Sequence, residues 1–223
     1  MGRNSKILCS IPRTIWFNFR YLPFRQAVRL PIWIANNVRI KELHRGCLDF
    51  EGSLRIGLIR IGYHEADGVD IYHTHTILNI SKLGHILFRE DAHIGQGAII
   101  KINDNGIIIF GRNFAISGTT SIIASKSIFF GDDVQLSWNS LIMDGDAHKI
   151  FDEDGNWINP PREIKIGNKV WIAANTTVLK GSVIADNTIV ASNSLVGKVF
   201  YEGDCIVGGL PSKILKKISH FTI

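Results

Sequence analysis

From residue 166 onward an aliphatic side chain stands at every sixth position: Ile166, Ile172, Val178, Ile184, Val190 and Val196. Two further position classes share that period. Val170, Thr176, Ser182, Thr188 and Ser194, all small or β-branched, follow the aliphatic residue by four. Gly167, Ala173, Leu179, Ala185, Ala191 and Gly197 follow it by one, and five of these six are Gly or Ala. A six-residue period fits neither the 3.6-residue turn of a helix nor plain strand alternation. It fits a chain that makes a short strand step, turns, and repeats, so that like residues stack from coil to coil. Three steps make a triangular coil of about 18 residues.

The pattern extends upstream with changes of phase. Phe110, Ile116, Ile122 and Ile128 form one run, and Phe130, Leu136 and Ile142 another. Between residues 56 and 102 only pieces remain, such as Ile61-Gly62 and Ile94-Gly95. Asn168, Asn175, Asn187 and Asn193 recur where the chain must turn a tight corner, and Asn tolerates the left-handed backbone such corners use. A hairpin sandwich would show turn signals every 8–12 residues rather than every six. The chain holds 36 Ile against 16 Leu, a bias toward strand. The sequence therefore predicts an all-β parallel β-helix with space for roughly eight coils between residues 50 and 200.

Charge divides the chain. Residues 1–45 carry nine Lys or Arg and one acid, Glu42, whereas residues 46–223 carry 16 basic and 19 acidic residues. The same N-terminal segment holds Trp16, Phe17, Phe19, Tyr21, Phe24 and Trp33. The expected organisation is a basic aromatic arm over residues 1–45 and a β-helix domain over 46–223, with a short C-terminal tail or helix. The arm suits one of two roles: packing over an end of the β core, or peripheral contact with an anionic membrane. No nucleic-acid-binding motif accompanies the charge, so no nucleic-acid partner is expected. Cys9, Cys47 and Cys205 have no metal or redox spacing, and no apolar run approaches a membrane span. These features predict a cytoplasmic chain, with the inner membrane face as its only membrane contact.

His148 stands out among eight histidines. It precedes Asp152, Asp154, Gly155, Pro160 and Pro161, a turn-rich stretch that predicts a loop over 147–163. Its distance to Ile166 is one coil's worth, so a further coil is the alternative. Asp144 and Asp146 precede it and are candidates to orient a ring nitrogen and raise its basicity. Trp138 and Asn139 offer a stacking surface and an amide suited to sugar hydroxyls. His73-Thr74-His75, with His64, His85 and His93 nearby in sequence, suggest a tri-histidine metal site only if stacked coils bring them together, and no metal is expected.

The repeat resembles that of the hexapeptide-repeat acyltransferases, which fold as left-handed parallel β-helices. The likeness is densest in Val170-Trp171-Ile172-Ala173-Ala174-Asn175, Leu179-Lys180-Gly181 and Gly208-Gly209-Leu210-Pro211-Ser212-Lys213. Ser137-Trp138-Asn139 and Asp144-Gly145-Asp146-Ala147-His148 resemble the glycan O-acetyltransferases of that superfamily. The resemblance implies an acetyl-CoA-dependent O-acetyltransferase acting on a carbohydrate, with His148 as general base and a homotrimeric assembly. It implies CoA contacts at Trp171, Ala173, Ala174, Ser192, Lys198, Lys213 and Lys216. The hexad alone is shared with γ-class carbonic anhydrases and with non-catalytic β-helices, which are the competing readings.

Overall fold

A computed structural model describes residues 3–63 and 73–222. Among the described residues the strands form three sheets, which are the three faces of a left-handed β-helix. Face A runs from strand Ile32–Ile34 to strand Ser212–Lys217 and has nine strands. Face B runs from Val38–Glu42 to Leu195–Val196, and face C from Leu48–Phe50 to Val199–Phe200, with seven strands each. All pairings are parallel except the last on face A, where Ser212–Lys217 folds back antiparallel on Cys205–Gly209.

The hexad is the core. Ile166 lies on face C, Ile172 on face A and Val178 on face B, and all three are fully buried. Ile184, 18 residues after Ile166, pairs with it directly on the next coil of face C. The face C column continues back through Phe130, Phe110 and Phe88, whose rings stack at 5.5 and 5.4 Å. Offset aromatic stacking adds to the burial of these large side chains. Phe114, from face A, wedges against Phe110 and Phe130 at 4.4 and 4.8 Å.

The corners explain the small residues. Asn139, Asn175 and Asn193 adopt φ of 56°, 59° and 55° and stack at the corner between faces A and B. Asn113, Asp133, Lys169, Asn187 and Asp204 do the same between faces C and A. Beside that second column, a Cβ on Gly131 would come within 2.6 Å of the Gly167 backbone, so successive coils exclude a side chain there. The phase shift also has a local origin. Phe110 pairs with Phe130, a step of 130 − 110 = 20 residues, against 184 − 166 = 18 later. The two extra residues lengthen the upstream coil.

Two expectations need correction. The β-helix does not start at residue 46: Ile32–Ile34 and Val38–Glu42 already form its first strands on faces A and B. Arg39 and Lys41 obscured this in the sequence, because they are basic yet lie on a strand. The arm proper is helix α1 (Arg3–Tyr21) and the short helix α2 (Phe24–Ala27). The C-terminal segment is neither a loose tail nor a helix but the antiparallel strand Ser212–Lys217. No helix of the described residues is long and apolar enough to cross a membrane.

Helix α1 closes the first edge of face A. Asn18 Nδ2 donates to the carbonyl of Ile32 at 2.7 Å, and its Oδ1 accepts from the Ile32 amide at 3.2 Å. Thr14 Oγ1 accepts from the Ile34 amide at 3.2 Å. The geometry follows from two repeat lengths. Four helical residues rise about 6 Å, and two strand residues span about 6.6 Å, so side chains at i and i+4 reach alternate strand residues. Polar groups left open on an edge strand are thereby satisfied.

Candidate active site

The His148 loop is an insertion into the stack. Strand Ile128–Phe130 pairs directly with Ile164–Ile166, a step of 164 − 128 = 36 residues, twice the coil length. One coil's worth of chain therefore projects outward. The Arg162 amide donates to the Asp144 carbonyl at 2.9 Å and closes the stem. Within the loop, Phe151 and Trp157 form an antiparallel bridge, and the Asp152 carboxylate accepts from the amides of Asp154 and Asn156 at the tip. His148 is exposed.

Asn159 ties the loop together. Its Nδ2 donates to the His148 carbonyl at 2.8 Å and to Asp146 Oδ2 at 2.9 Å. Its Oδ1 accepts from the Ile150 amide at 2.6 Å and from Trp157 Nε1 at 2.8 Å. Lys180, from the next coil, anchors this cluster to the scaffold: its Nζ lies 2.6 Å from Asp146 Oδ2 and 3.0 Å from the Asn159 carbonyl. The Lys180 ammonium, followed by the Asn159 amide, holds the Asp146 carboxyl below the usual carboxylate range. Neither Asn159 nor Lys180 was assigned a role from sequence. Lys180 and Asp146 lie 34 residues apart and meet only because the coil and the insertion bring them together.

The expected partnership of His148 with Asp144 does not hold. Asp144 is fully buried, and its carboxylate accepts three backbone amides, those of Ser125, Lys126 and Ser127, at 2.6, 2.8 and 2.7 Å. It holds the preceding coil's turn, where three orphan donors require an acceptor. Asp146 does not hydrogen-bond the His148 ring either, since its carboxylate faces Lys180 and Asn159. Asn159 links it to the His148 backbone carbonyl.

Three of the residues expected at the cofactor site, Ala173, Ala174 and Ser192, share one edge with Trp138 and Asn139, which are expected at the acceptor site. Trp138, Ala174 and Ser192 each precede a left-handed Asn, and the amides of Asn175 and Asn193 donate to the carbonyls of Trp138 and Ala174. Asn139 is thus a corner residue, like Asn175 and Asn193. Ala173 lies beside Ala174 on the same edge, and its carbonyl accepts from Ser140 Oγ at 3.2 Å. Trp171 points outward from face A and donates from Nε1 to Ser137 Oγ at 3.0 Å. Lys213 and Lys216 are exposed on the last strand, opposite Gly208 and Ile206. Lys198 is exposed elsewhere, its Nζ 5.2 Å from the Phe200 ring centroid. The His148 loop leaves at the far end of face B, between faces B and C. Asp144 follows Asn139 by a step of five residues across strand Leu141–Met143, roughly 16 Å of extended chain, so the histidine and this column occupy different edges of one chain.

Among the described residues no three His, Cys, Asp or Glu side chains gather as a metal site. His85 faces Asp49 at 3.4 Å, and His75 faces Arg39 at 3.1 Å, while His64 lies outside the described residues.

Residues 163–198 match the bacterial transferase hexapeptide model of six repeats. The chain is 29% identical over 149 residues to WbbJ of Escherichia coli K12, named as a lipopolysaccharide biosynthesis O-acetyl transferase, with 62% of this chain and 75% of that protein covered. It is 36% identical over 97 residues to a polysialic acid O-acetyltransferase of Neisseria meningitidis, covering 43% of this chain and 45% of that one. The fold also matches the crystal structure of a polySia-specific acetyltransferase, with a TM-score of 0.57 at 16% identity over 86% of this chain and 89% of the other. By its repeat, its fold and its relatives, the chain is similar to the hexapeptide-repeat acyltransferases.

Proposed function

We propose that the protein is an acetyl-CoA-dependent O-acetyltransferase of a carbohydrate hydroxyl, with His148 as general base. A neutral ring nitrogen of His148 takes the proton of the acceptor hydroxyl. The oxygen attacks the thioester carbon, the C–S bond breaks, and CoA leaves as the thiol once the imidazolium returns the proton. Backbone amides stabilise the transient oxyanion, and joint binding of both substrates supplies the orientation. No cysteine nucleophile is required: Cys47 and Cys205 are buried, burial pushes the Cys47 thiol up to about 11, and the exposed Cys9 lies on α1 rather than in the loop. The observation that carries this reading is the loop itself, a whole coil's length turned out of the stack, latched by Asn159, Asp146 and Lys180, and presenting an imidazole.

The separation of His148 from the Ala174–Ser192 edge supports a homotrimer, in which one subunit's loop faces its neighbour's edge. Face B lies between these edges and carries outward Ile123, Met143 and Leu179 in one row, an apolar surface suited to subunit packing. Kinship with proteins named for lipopolysaccharide and polysialic acid O-acetylation supports a cell-surface glycan or its precursor as acceptor. Use of acetyl-CoA supports work in the cytoplasm.

The test is titration calorimetry with acetyl-CoA, followed by acetyl transfer to a panel of oligosaccharides. Micromolar binding near one per chain is expected, and His148→Ala is expected to lower turnover by about 100-fold or more with its melting temperature unchanged. Absence of acetyl-CoA binding would favour a non-catalytic β-helix. Undiminished turnover in the variant would remove His148 from the mechanism.

A further inference from the structure

We propose that the outer face of α1 docks the protein on an anionic lipid surface. The starting point is an inversion of the usual amphipathic arrangement. The inward face of α1 carries Ser10, Thr14 and Asn18, spaced by four, together with Phe17 and Tyr21. Thr14 and Asn18 are committed to the edge of face A, and Ser10 Oγ lies 2.6 Å from the Tyr63 hydroxyl. The aliphatic stripe faces outward as a result. Leu8, Ile11, Ile15 and Phe19 follow helical spacing along it, with Trp16 beside them. Phe24 and Val28 prolong the ridge past α1, and the Phe19 and Phe24 rings meet at 6.1 Å. Leu8 is 65% exposed, Trp16 51% and Phe24 68%. Such a contiguous apolar patch marks a contact surface.

Charge identifies what covers it. Residues 1–41 contain no Asp or Glu. Arg20, Arg25 and Arg29 are exposed at the rim of the ridge. A two-fold pairing of two such ridges would set arginines against arginines. A bilayer surface rich in anionic headgroups meets both features at once: the ridge enters the acyl boundary while the arginines pair with headgroups. No helix of the described residues can span a membrane, so the contact lies in the interface plane. Face B places the His148 loop four coil steps along the axis from its first strand, about 19 Å at the usual strand spacing, so docking leaves the loop open.

The test is cosedimentation of the full chain with phosphatidylcholine vesicles, with or without phosphatidylglycerol, combined with an environment-sensitive dye on Cys9, the exposed cysteine of the three. Binding to the phosphatidylglycerol vesicles with a blue-shifted dye is expected, weakening about tenfold as salt rises from about 50 to about 500 mM. Replacing Ile15 and Phe19 together by Glu is expected to weaken binding at least about tenfold without changing melting temperature or oligomer size, because both side chains point away from the protein. A second pair, Arg20→Glu with Arg25→Glu, is expected to abolish the preference for phosphatidylglycerol. No sedimentation of the wild type would overturn the proposal, as would equal binding by either variant pair. So would a change in oligomer size in the Ile15/Phe19 variant without lipid, which would assign the ridge to a second copy of the chain.

Discussion

Asn159 Nδ2 donates to the backbone carbonyl of His148 at 2.8 Å, across the neck of the loop that carries the histidine. The same amide nitrogen reaches Asp146, so one side chain fixes both the backbone and the acidic anchor beside it. Asn159→Ala should lower kcat about tenfold, the effect of one or two lost hydrogen bonds, while KM for acetyl-CoA changes less. The pH–rate profile should keep its position, since the base itself remains. A parallel collapse of kcat and melting temperature would show that Asn159 supports only folding.

Removal of the loop should spare the scaffold. Face C already pairs strand Ile128–Phe130 with Ile164–Ile166, so the ladder does not pass through the insertion. Replacing residues 145–161 with a short Gly-containing turn should leave the far-ultraviolet circular dichroism spectrum and the melting temperature close to wild type, with acetyl transfer lost. A large drop in melting temperature would mean that the loop contributes to the core.

Asp146 gives the anchor an acid limit. Its folded pKa lies below the ordinary value of 3.8, so the stabilisation is fully present above that value and disappears as pH falls through the lower folded pKa. The Trp157 indole, which donates to Asn159 Oδ1 at 2.8 Å, is a local reporter. Its NH resonance should hold constant from pH 8 to about 5 and move below about 4. In Asp146→Asn that acid transition should vanish. A transition near pH 6 would point to another group.

Asp144 should behave as a structural residue. Its three amide partners would be left without an acceptor in Asp144→Ala, a cost of about 3 kcal/mol or more at a buried site. Chemical denaturation should show that loss. The fraction that remains folded should keep near-normal kcat, because the carboxylate faces the preceding coil. Preserved stability with lost activity would restore the catalytic role expected from its nearness to His148 in sequence.

The fold is legible wherever the period is undisturbed. Ile166 to Val196 maps onto the three faces in strict rotation because each step there is six residues. Earlier coils blur for a physical reason: the pairing of Phe110 with Phe130 takes 20 residues, so a fixed period loses phase. The first strands were hidden among arginines and lysines, whose charge is indifferent to the strand beneath them. In the site, His148 was visible through its turn-rich context, whereas Asn159 was not, since a polar loop residue carries no sign of what it bonds. Nearness to His148 in sequence does not decide where the Asp144 carboxylate points. The strand direction turns its carboxylate to Ser125, Lys126 and Ser127 instead.

The edge contacts of Thr14 and Asn18 have a further consequence when set beside the other end of the molecule. A parallel stack with open ends is a template: a second stack can add to it, and growth has no natural stopping point. Here face A is stopped at its start by a helix that offers side chains in place of a strand, and at its finish by the reversed, lysine-bearing strand Ser212–Lys217. Faces B and C end in strands of only two residues, Leu195–Val196 and Val199–Phe200, which offer little to pair with. These terminators disfavour end-to-end pairing at both ends of face A and at the finishing edges of faces B and C.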